Sequence, residues 1–184
     1  MKVIQPKEFN NKEIESNLNL INIFMGGGMG NTEWHSKFLD YFAETGSYLT
    51  IFNPYNPNID DLFRQVMWEC KVLEAYKKSR VFIYSFYFDK YTNQPMSCFE
   101  LGKMITLKTN KQVYTILDKD GNVVEAIGDN NDFDLVITVH PESPIKDEII
   151  TQCQCANVAC IIGDIDTHIK CVWDMYRCNK KHFC

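Results

Sequence analysis

The sequence has no apolar run long enough to span a bilayer. Its longest, such as VFIYSFYF at 81–88, are strand-sized, against about 20 residues for a membrane helix. The opening MKVIQPKEFNNKEIESN carries no apolar stretch of signal-peptide length, so the expected location is cytoplasmic, with no membrane partner. Basic clusters are missing too: net charge is −5, and lysines and arginines are scattered singly or in pairs. A nucleic acid polymer needs a basic face from which to release counterions, so none is expected as a partner. Cysteine is the residue in excess, with eight in 184 and five of them between 153 and 178. No pair has the C-x2-C spacing that folds a tight turn around zinc. The cysteines therefore read as reduced thiols filling small apolar positions, and no metal is expected.

What is present is an alternation of short apolar runs with amphipathic stretches. LINIFM (20–25) stops at Gly26-Gly27-Gly28-Met29-Gly30, and 32–44 follows with helical spacing; strand, glycine turn and helix open a βαβ unit. A strand at 48–53 ends at Asn53-Pro54, and helical period extends from about Ile59 to Lys78. VFIYSFYF is apolar on both alternating sets, as a central parallel strand covered on both faces must be. Pro95 then suits the first turn of a helix running to Thr109. A hairpin is predicted at 111–128 around Asp120-Gly121, followed by a strand at 134–139, a helix at about 144–155, a strand at 158–162 and a helix at 164–176. The expected fold is one α/β domain over 1–184, a flavodoxin-like or Rossmann-like three-layer sandwich with a five-stranded parallel sheet and an inserted β-hairpin.

In such sheets ligands bind beyond the carboxyl ends of the strands, which nominates the loops starting at Gly26, Asn53, Asp89 and His140. The glycine run lacks the third glycine of G-x-G-x-x-G, since Asn31 stands there, and no acidic residue closes the second strand. A dinucleotide cofactor site is therefore not expected. Glu69 falls in the angular sector of Leu62, Val66 and Leu73, the stripe that should face the sheet. Burying a carboxylate is costly, so Glu69 needs a partner or a cleft. Glu100 lies near the start of the helix after the central strand, where the helix dipole should hold it ionised; an ionised, positioned carboxylate can attack an anomeric carbon. If both face one pocket, their ionisations oppose each other, and Glu69 is expected to titrate higher.

IFMGGG, Trp34, FNP (52–54), QVMWE (65–69), PMSCFELG (95–102) and VHPE (139–142), in that order and spacing, resemble the nucleoside 2-deoxyribosyltransferase family, in its branch of short nucleoside 2-deoxyribosyltransferase-like proteins. The resemblance implies that Glu100 is a nucleophile forming a covalent 2-deoxyribosyl ester, and that Glu69 assists at the sugar or the departing base. It further implies that Gly26, Gly27, Gly28, Asn53 and Ser97 line the sugar or phosphate pocket, with Trp34 and Met96 as apolar walls for the base. The implied partners are a nucleoside or nucleotide and an acceptor base. No metal or organic cofactor is implied, and a homo-oligomer is expected. The inserted hairpin, and Arg80 where relatives commonly carry aspartate, depart from the pattern. A binding protein that senses or sequesters a nucleotide without chemistry is the alternative.

Overall fold

The computed structural model describes residues 1–6, 11–28, 32–44, 48–58, 61–109, 113–117, 123–128 and 133–181. The Asp120-Gly121 turn, the Met29-Gly30 end of the glycine run and the expected helix start at Ile59 lie outside them. Eight strands are described: β1 (Lys2–Ile4), β2 (Ile21–Gly27), β3 (Leu49–Phe52), β4 (Val81–Phe88), β5 (Val113–Leu117), β6 (Val123–Gly128), β7 (Asp134–Val139) and β8 (Ile161–Ile162). The α-helices are α1 (Asn11–Ser16), α2 (Glu33–Phe42), α3 (Leu62–Val72), α4 (Pro95–Thr109), α5 (Lys146–Cys155) and α6 (Ile165–Lys180), with a 3-10 turn at Ala75–Lys78.

Six strands form one parallel sheet in the order β1-β3-β2-β4-β7-β8, while β5 and β6 pair antiparallel as a separate hairpin. Without β1, this is the flavodoxin-like order with helices on both faces. The sixth strand corrects the expected count of five: Lys2–Ile4 adds to the outer edge of β3, three residues that show no periodicity of their own. β2 also runs two residues further than LINIFM suggests, through Gly26 and Gly27. Their lack of side chains is what permits this. A Cβ on Gly26 would lie 2.4 Å from the Phe86 ring. One on Gly27, whose φ of +155° already disfavours other residues, would lie 2.6 Å from the Tyr87 carbonyl oxygen.

β4 shows how strand alternation builds the layers. Phe82, Tyr84, Phe86 and Phe88 enter the core shared with Trp68 and Val72 of α3, Leu101 and Met104 of α4 and Ile149 of α5. Ile83 and Tyr87 enter the opposite core, with Phe38 and Phe42 of α2 and Val172 and Tyr176 of α6. Each large side chain so buried contributes about 1.5–3 kcal/mol.

Ser85, on the second side of β4, meets a polar partner: His168 of α6 is fully buried, with Nε2 2.7 Å from Ser85 Oγ and Nδ1 3.0 Å from Thr138 Oγ1 of β7. The three residues fix the seating of α6 across two strands. Burial lowers the His168 pKa from 6.5 to about 3. Because the folded value is depressed, the unfolded chain binds more protons between those limits. Stability carried by neutral His168 is thus complete above pH 6.5 and is lost as pH falls. We expect the stability advantage of the wild type over His168→Leu to shrink by about 2 kcal/mol between pH 7 and pH 5, read from denaturant unfolding at each pH. A constant difference would refute it.

Candidate functional site

The chain reverses winding direction between β2 and β4: α2 leaves β2 toward one face of the sheet and α4 leaves β4 toward the other. The crevice at their carboxyl ends is the place where this fold can hold a ligand without disturbing its ladder. Gly27 and Gly28 bring one wall, the segment Thr92–Ser97 the other, and between them lies a cavity of about 280 Å³ that Pro95 and Met96 complete.

Beside it, α3 and α4 each place a glutamate on the buried side. On α4, Ser97, Glu100, Leu101, Met104 and Ile105 form the inward stripe, at helical period. On α3 the stripe is Trp68, Glu69 and Val72, continued by Leu73. Leu62, expected on that stripe, is 67% exposed, in a first turn of α3 whose first three residues are all exposed. Glu69 and Glu100 are buried, and their carboxyl groups lie within hydrogen-bonding reach of each other. Gln65, one turn before Glu69, donates to Glu69 Oε1 at 3.0 Å. Neither glutamate is on the lining of the 280 Å³ cavity; Ser97, three residues before Glu100 and on the same side of α4, is the lining residue nearest them in the helix.

Burial raises both glutamates above the ordinary range. At Glu100 the neighbouring Glu69 charge and a hydrogen bond to Glu69 add to the desolvation, and Oε1 has no hydrogen-bond partner. Glu69 is held back by hydrogen bonds from Gln65 and from Glu100, which favour its ionised form. Both carboxyls are thus held toward their protonated forms, and they titrate as a coupled pair. Nor does the helix dipole hold Glu100 ionised. Glu100 is the sixth residue of α4, beyond the first turn where that effect is felt.

The other sequence-nominated residues divide. Gly27, Gly28, Met96 and Ser97 line the cavity, whereas Gly26 lies within β2 against Phe86. Asn53 is buried at the end of β3, where its Oδ1 accepts from the Tyr55 amide at 3.1 Å and faces His35 Nδ1 at 2.8 Å. Trp34 donates through Nε1 to the Gly28 carbonyl at 3.0 Å and lines a second cavity of about 180 Å³, with Tyr87, Asp89, Tyr91 and His140.

Two polar residues, Gln94 and His35, escape sequence reasoning, and a third, Asp89, is nominated there only as the start of a loop. Gln94 is buried with φ +45° and leaves both amide atoms without partners on the cavity wall. Asp89 and His35 are buried with one unpartnered atom each, Oδ2 and Nε2. Buried polar atoms without partners are costly, and their gathering around Gly28 suits a ligand rich in hydrogen-bonding groups. The signal in the sequence was the loop after β4, already nominated by its place at a strand end. Gln94 also directly precedes Pro95, where helical backbone is disfavoured.

Among the described residues, no group of three or more His, Cys, Asp or Glu side chains could hold a metal ion, and no helix is long and apolar enough to cross a membrane. No curated protein matches the chain. A family profile described as nucleoside 2-deoxyribosyltransferase like matches residues 20–119, more than half of the 184, from β2 through α4 and with both glutamates inside it. The chain belongs to the nucleoside 2-deoxyribosyltransferase-like family.

Proposed function

We propose that the protein cleaves or transfers the N-glycosidic bond of a 2-deoxynucleoside or 2-deoxynucleotide through a covalent deoxyribosyl ester on Glu100. The observation that carries this reading is the buried carboxyl pair beside the glycine-walled cavity, within a chain of this family. Two carboxyls sharing one proton contain both groups the reaction requires. When the proton passes from Glu100 to Glu69, Glu100 becomes the carboxylate that attacks C1′, and Glu69 becomes the acid that protonates the departing base. In the second step Glu69 takes a proton from the acceptor base or water as the ester is displaced, which restores the starting pair. The exclusion of water decides between transfer and hydrolysis.

Ser97 and Gly28 would border the sugar or its phosphate, with Met96 against the base. Asn53, Gly26 and Trp34 shape the wall behind them: Asn53 faces His35, Gly26 lets β2 run beside Phe86, and Trp34 holds the Gly28 carbonyl. We further propose that copies associate through the sheet face bearing α3 and α4, where Leu62, Phe63 and Phe99 are exposed. Sedimentation at several concentrations tests this.

The direct experiment is incubation with a panel of 2-deoxynucleosides and their 5′-monophosphates, with and without an acceptor base, following free and exchanged base by chromatography. Base release or exchange supports the proposal. Tight binding with no turnover for any member would favour the nucleotide-sequestering alternative.

Gly28 gives a narrower test. A Cβ there would lie 2.7 Å from Thr92 Oγ1, 2.9 Å from Gln94 Cδ and 3.0 Å from Asp89 Oδ2, so a methyl group pushes on the polar cavity wall. Gly28→Ala is expected to raise KM about tenfold, from a loss of about 1.4 kcal/mol in binding, with a much smaller effect on kcat. An unchanged KM would place the ligand elsewhere.

A further inference from the structure

Outside the glutamate site, Cys153 of α5 and Cys160, just before β8, are two reactive side chains for which the proposed reaction has no use. Both are free. Their side chains face each other, and both pack against the same apolar core. The intervening chain folds back tightly: the Val158 amide donates to the Cys153 carbonyl at 2.9 Å, and Asn157 takes φ +54° to make the bend. Cys153 is buried, whereas Cys160 is partly exposed.

We propose that Cys153 and Cys160 are a reversible thiol–disulfide site, oxidised by hydroperoxides, that ties the end of α5 to the start of β8. The chemistry balances with the hydroperoxide as oxidant. The Cys160 thiolate attacks the peroxide O–O bond, becoming a sulfenic acid and releasing hydroxide or an alkoxide. The Cys153 sulfur then displaces hydroxide from that sulfenic acid as its own proton is lost, closing the disulfide. With hydrogen peroxide, two thiols and one peroxide give one disulfide and two waters.

The division of labour follows from the surroundings. Cys160 is stabilised as the thiolate by the Cys153 S–H and the Ile161 amide. Burial and the facing Cys160 keep Cys153 protonated until it is needed as the resolving thiol. Cys155 and Cys178 are more exposed, so the order of oxidation separates the facing pair from access alone.

The test uses the full chain, fully reduced and then exposed to stoichiometric hydrogen peroxide. Remaining thiols are blocked by alkylation and the protein is digested without reductant. Mass spectrometry is expected to find the 147–170 peptide lighter by two hydrogens, with Cys155 alkylated and the closed loop mapped to 153–160, and reversed by dithiothreitol. In Cys153→Ala, a sulfenic acid should accumulate on Cys160 and be trapped by dimedone. In Cys160→Ala, the buried Cys153 should react with peroxide at least about tenfold more slowly than Cys160 does in the wild type. Because the wild-type measurement needs no variant, a variant that misfolds does not decide the result. Oxidation of Cys155 or Cys178 ahead of Cys160, or over-oxidation of Cys160 without a 153–160 link in natively folded protein, would overturn the proposal.

Discussion

Glu100→Gln is expected to lower kcat by about four orders of magnitude or more, since loss of an essential nucleophile leaves only binding and electrostatic contributions to the rate. The same substitution should make the protein more stable at neutral pH. Glu100 is buried, Oε1 has no partner, and its pKa is raised well above the ordinary 4.5 by desolvation and by Glu69. A carboxyl whose folded pKa is raised binds more protons in the folded chain than in the unfolded one between the two values. Stability therefore falls as pH rises from about 4.5 through the folded value. Glutamine cannot ionise, and its amide can donate to Glu69 in place of the proton. At pH 8 the variant should gain about 1–3 kcal/mol, the cost of a buried, incompletely paired polar group, and the gain should vanish below pH 4.5, where both proteins carry a neutral side chain. Denaturant unfolding at pH 4 and pH 8, with kcat at pH 7, separates the possibilities. A purely structural Glu100 would give a less stable variant whose activity falls only in proportion to unfolding.

Much of this arrangement is legible in the residue order, and the illegible parts share a cause. β4 and β7 agree end for end with the apolar runs at 81–88 and 134–139, because strands buried on both faces are written almost wholly in apolar side chains. The burial of Glu69 follows from helical spacing, although Leu62 leaves that stripe in the exposed first turn of α3. β1 has no such pattern: two of its three residues are exposed at the sheet's edge, and only pairing with β3 makes them a strand. The expected strand at 158–162 shrinks to Ile161–Ile162 because β7 pairs with those two residues alone.

At the site, residue types and spacing gave both glutamates but not their partners: Gln65 reaches Glu69, and nothing reaches Glu100 Oε1. Likewise the φ of +45° at Gln94, whose side-chain amide has no partner, is visible in the sequence only as a residue before proline.

The shared proton also fixes what Glu69→Gln should do. With both glutamates present, the rate requires one proton on the pair: too much acid protonates the nucleophile, and too much base removes the acid that serves the leaving group. The profile should be bell-shaped, with apparent pKa values that belong to the pair. Its optimum should lie above the ordinary carboxylate range, because burial raises both members. Glu69→Gln removes the acid but keeps the hydrogen bond. We expect kcat to fall about 10²–10⁴-fold, the usual worth of general acid catalysis, and the alkaline limb to flatten. The acid limb should remain and move to lower pH, since Glu100 no longer ionises beside a like charge. The loss should also depend on the base, being large for a purine or pyrimidine that must be protonated to depart and small for an activated base that leaves readily as the anion. Equal losses across such a series, with the alkaline limb intact, would mean that Glu69 only positions Glu100.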